Sequence, residues 1–78
     1  MVRANIQDPG GVYIGLIDEV DAGFRIVWNR NMDNYQERNT MEHNRIFNTF
    51  DEACQGVYGV LPDAKITETI YFRRKNGE

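Results

Sequence analysis

The sequence predicts an α+β domain: a small antiparallel sheet of three to five strands with a single helix packed on one face, in the order β-β-β-α-β. Three observations carry this. Residues 12–18 and 23–30 alternate on either side of a turn signal. Residues 49–61 place an apolar stripe at helical spacing behind a capping box. Residues 65–73 alternate again after a proline that stops the helix.

The chain of 78 residues makes one compact domain, 1–78, with 1–11 an irregular lead-in and 73–78 a polar tail. Surface scaling gives a folded area of about 4,900 Å² against about 13,000 Å² for the extended chain, so about 60% is buried. That supports one thin core. A hydrophobic fraction of 41% and an aromatic fraction of 12% exclude an intrinsically disordered chain.

Asp8-Pro9-Gly10-Gly11 is a turn signal. In 12–18, Val12, Ile14 and Leu16 share one face and Tyr13, Gly15 and Ile17 the other. Residues 18–23 form a hairpin connection, with Gly23 taking the positive-φ position. In 23–30, Phe24, Ile26 and Trp28 oppose Arg25, Val27 and Asn29. Pairing of Leu16 with Phe24 or Ile26 puts both apolar sets on one buried side. From Tyr35 to Phe47 the apolar content falls, and a third strand is placed in a polar hairpin around Asn39-Thr40. Thr49 and Glu52 form the capping box, and Phe50, Ala53, Cys54, Val57 and Leu61 form the helical stripe. Gly56 and Gly59 each cost about 1 kcal/mol relative to alanine but allow close approach to a sheet. In the last strand Ile66, Ile70 and Phe72 oppose Thr67, Thr69 and Tyr71. The expected core is Ile14, Leu16, Phe24, Ile26, Trp28, Phe50, Ala53, Cys54, Val57, Leu61, Ile66, Ile70 and Phe72.

Composition narrows the chemistry. The chain holds no serine, one cysteine (Cys54) and one histidine (His43). Serine nucleophiles, internal disulfides and Cys/His zinc sites are therefore excluded. The start lacks the apolar stretch of a signal peptide, so a reducing cytoplasm is the expected location. The net charge of −3 opposes binding that rests on phosphate contacts.

Each motif has a plain structural alternative. Gly10-Gly11-Val12-Tyr13-Ile14-Gly15 leads into a strand rather than a helix, so it reads as a turn and bulge, not a phosphate cradle. Cys54 lies in the helix stripe, as a small hydrophobe would, rather than in a nucleophile–base pair with His43. Asp18, Glu19 and Asp21 lack the spacing of a calcium loop and read as a solvated turn. No metal or cofactor is expected. Arg73-Arg74-Lys75 reads as a charged tail.

Two surfaces remain as partner-binding candidates. One is the 29–48 segment, which interleaves Arg30, Asp33, Tyr35, Arg38, Glu42 and Arg45. It is either a binding surface or a charged hairpin that protects a sheet edge. The other is the sheet face away from the helix, with Tyr13, Ile17, Val27 and Tyr71. The lead-in, through Val2 and Ile6, is the alternative cover for that face. The expected function is a small non-enzymatic protein-interaction module. Inhibitors carried by phages and mobile elements, such as anti-CRISPR and anti-restriction proteins, share its size, charge and economy. Such an inhibitor binds and blocks a host protein complex, which can itself be one that binds nucleic acid. Direct nucleic-acid binding and a homo-oligomeric assembly subunit, such as a homodimer, are the alternatives. No membrane partner is expected.

Overall fold

A computed structural model describes residues 1–29 and 45–69. The strands are β1 (Val2–Gln7), β2 (Tyr13–Val20), β3 (Gly23–Trp28), β4 (Ile46–Phe47) and β5 (Lys65–Glu68), with helix α1 (Phe50–Val60) between the last two. They form one antiparallel sheet in the order β4-β3-β2-β1-β5. The α+β class and the single helix on one sheet face are as expected. The element order gains one strand at its start.

That strand is β1, in the stretch expected to be irregular. Val2, Ala4 and Ile6 alternate with Arg3, Asn5 and Gln7, which is the period of a strand. It pairs on both sides, with β2 and with β5, so it lies inside the sheet. Two bulges interrupt its pairing with β2. Arg3 is the extra residue of one and Ile14 the extra residue of the other. The second re-aims Ile14, which is fully buried.

The turn between β2 and β3 is tighter than expected. Val20 pairs with Gly23, leaving Asp21-Ala22 as the connection. This sets Ile17 opposite Ile26 and Leu16 opposite Val27. A shift of one residue turns every side chain to the other face. Ile17, expected on the open side, is therefore fully buried under the helix. Leu16, expected in the core, lies half-buried on the open side. The helix face also carries Ala4, Ile6, Phe24, Trp28, Phe47 and Ile66. Ile6 thus belongs to the core and does not fold over the open side.

Helix α1 begins as its sequence dictates. Thr49 is extended, and its Oγ1 accepts a hydrogen bond from the Glu52 N–H at 3.1 Å. The Glu52 carboxylate accepts from the Asn48 N–H at 3.3 Å, one residue before the box closes in its usual form. At the other end the Leu61 N–H donates to the Val57 carbonyl at 2.9 Å, and Pro62 follows. Ala53 and Val57 are fully buried, while Phe50, Cys54, Val60 and Leu61 pack around them. The core is completed by Ala64, which precedes β5. Ala4, Ile6, Ile17, Phe47 and Ala64 were not among the expected core residues. The expected core residues Ile70 and Phe72, and the hairpin around Asn39-Thr40, lie outside the described residues.

The two helix glycines have different surroundings. A Cβ on Gly56 would lie 2.8 Å from Phe47 Cζ, whereas one on Gly59 would meet nothing within 4 Å. Gly59→Ala is therefore expected to stabilise the protein by about 1 kcal/mol, raising Tm by about 4–8 °C. Gly56→Ala gains the same helix propensity but displaces the packed ring of Phe47, and Tm is expected to fall. Thermal melts of both variants check the opposite signs.

Candidate functional site

Pairing register assembles the side of the sheet that faces away from α1. Val27 stands directly across from Leu16, and Ile46 lies one strand further out, opposite Arg25. Tyr13, opposite Gln7, extends the same side along β2. Tyr13, Val27 and Ile46 are 37%, 41% and 40% exposed. Among the described residues, α1 is the one helix, and it packs on the opposite face. The β4-β3-β2 half of the open face is thus largely apolar. Its β1-β5 half is mostly polar, with Asn5, Gln7, Lys65 and Thr67, and the apolar Val2, opposite Asp18, lies exposed at its end.

Charge enters this face as a compensated cluster. Arg25 donates from Nε and Nη2 to Asp18 Oδ2 at 3.2 and 3.1 Å. The Met1 ammonium sits 2.9 Å from Asp18 Oδ1 and donates to the Glu19 carbonyl at 2.9 Å. The Glu19 N–H returns a bond to the Met1 carbonyl at 2.7 Å. The hydrogen bond from the ammonium group is the main cause holding the Asp18 carboxyl below its ordinary 3.8. Partial burial opposes it, and Arg25 adds to it.

Successive strand residues point to opposite faces, which separates the acids that looked like a cluster. Asp18 lies on the open side with Arg25, and Glu19 on the helix side, 3.8 Å from Arg3. Asp21 is exposed in the turn. Among the described residues, no group of three or more acids, cysteines or histidines is placed to hold a metal ion. The glycine-rich turn is closed on itself. The Gly11 N–H donates to the Asp8 carbonyl at 2.9 Å, and the Val12 N–H to Asp8 Oδ1 at 2.8 Å. Those donors are committed within the turn rather than presented to a phosphate.

Cys54 is partly buried beside the core. Burial, then the charges of Asp51 and Glu68, push its thiol above its ordinary 9.0, against a smaller pull from Arg3. A nucleophilic cysteine needs the reverse shift. Its supposed partner His43 lies outside the described residues.

Of the partner-binding candidates, Tyr13 and Val27 share the open face, and Ile17 does not. Arg45 stands on the helix side, its guanidinium 4.7 Å from the Phe47 ring centre. Arg30, Asp33, Tyr35, Arg38, Glu42 and Tyr71 lie outside the described residues. Ile46 and Leu16 are the additions. Ile46 was findable as the apolar neighbour of Phe47 at the end of a polar stretch. Leu16 required the register. Comparison with protein-family models, with curated proteins and with solved structures returns no match for this chain.

The folded-state pKa of Asp18 is depressed, so its contribution to stability is complete above the unfolded value, near pH 4. It is lost as pH falls through the lower folded value. Urea midpoints of the wild type are expected to drop between pH 5 and 2 more steeply than those of Asp18→Asn, which is less stable at pH 6. For Cys54, alkylation by iodoacetamide at pH 7.5 is expected to be about 10-fold or more slower in the native protein than in urea. Mass spectrometry over time checks this.

Proposed function

We propose that this protein is a non-enzymatic interaction module that docks a protein partner on the apolar half of its open sheet face. The observation that carries this is the exposure of Val27, Ile46 and Tyr13 together on the sheet face that no described element covers. Contiguous exposed apolar surface on a small domain marks an interaction site. The face has the make-up of a protein interface: an apolar centre, an aromatic residue, and polar groups at its rim. Its described cations are Arg25 and the Met1 ammonium, both ion-paired to Asp18, and Lys65, which supports a protein surface over a phosphate-binding one.

Inhibition is proposed as the use of this face on the analogy of size, charge and economy alone. A module of the kind carried by phages and mobile elements would cover a contact surface of a host complex and block it. The open face supplies the apolar contact, and its compensated Asp18–Arg25 pair supplies polar groups at the rim.

Val27→Glu and Tyr13→Glu test the docking surface. Val27 and Tyr13 are partly exposed, so both variants are expected to fold, with Tm within a few degrees of the wild type. Affinity capture from the cells that carry the gene is expected to retain a protein with the wild type and to lose it by tenfold or more with either variant. Equal retention by all three would overturn the open-face reading. Sedimentation equilibrium on the same proteins separates a foreign partner from a second copy. A wild-type dimer that the variants dissolve would make the protein an assembly subunit.

A further inference from the structure

We draw no further inference here: the strongest candidate, the apolar groove of about 260 Å³ between α1 and the β3–β4 edge, lined by Ile26, Trp28, Phe47, Gly56 and Gly59 with Arg45 at its side, opens where the chain leaves the described residues after Asn29 and returns to them at Arg45, and nothing in the structure shows what covers it.

Discussion

Phe47 is where the two layers of this protein are joined. It lies on the two-residue strand β4, pairs with Phe24, and is 9% exposed. Its ring reaches under the helix at a point where only hydrogen fits, because Gly56 Cβ would stand 2.8 Å from it. Its backbone carbonyl occupies the space that a side chain on Gly23 would need, and Gly23 has φ 144°. Two glycines from different elements thus make room for one aromatic residue and its strand. A phenylalanine closed in this way fixes the height of α1 over β3 and the position of β4 at the sheet edge at the same time. In so small a core, with a handful of fully buried side chains, such a contact carries a large share of the specificity of packing.

The bulges in the β1–β2 ladder do related work on the other half of the sheet. Each places an additional side chain where regular alternation would not. Ile14 fills the core, and Arg3 turns toward the helix, its guanidinium 5.0 Å from the Phe50 ring centre. Phe50 in turn meets Phe24 edge to face, with centroids 6.0 Å apart. Arg3 also lies 3.8 Å from both Glu19 and Glu68. These ion pairs are long and partly solvated, so each contributes little; the stacking over Phe50 and the cover it gives the helix N-terminus matter more.

The helix, its cap, β2 and β3 were legible because each announces itself locally: a Thr-x-x-Glu box, a stripe at helical spacing, and alternation around a glycine turn. β1 carried the same alternation in Val2, Ala4 and Ile6, but Arg3, Asn5 and Gln7 made the stretch look like a polar lead-in. The face assignment of Ile17 failed for a different reason. Periodicity tells which residues share a face of one strand, but not which face meets which across a turn. That depended on Asp21-Ala22 closing the hairpin, which pairs Leu16 with Val27 rather than with Phe24 or Ile26. Tyr13 and Val27 were placed correctly on the open side because neither depended on that choice in the same way: Tyr13 precedes the bulge at Ile14, and Val27 opposes the helix-facing set of its own strand. Leu16 joins them only through its pairing partner Val27, which no local pattern reveals.

The position of β1 between β2 and β5 bears on the order in which the chain can organise. The β2–β3 hairpin needs only neighbours in sequence, and its loop closes at small entropic cost. β1 can add to it at once, across the Asp8–Val12 turn. The other edge of β1 must wait. Its partner arrives after the helix, and the hydrogen bond from Thr69 Oγ1 to the Val2 carbonyl joins residues 67 positions apart. The edge of β1 that meets β5 can therefore be paired only once almost the whole described chain is present. Closures of such high sequence separation carry a larger loop-entropy cost than the helix or the hairpins.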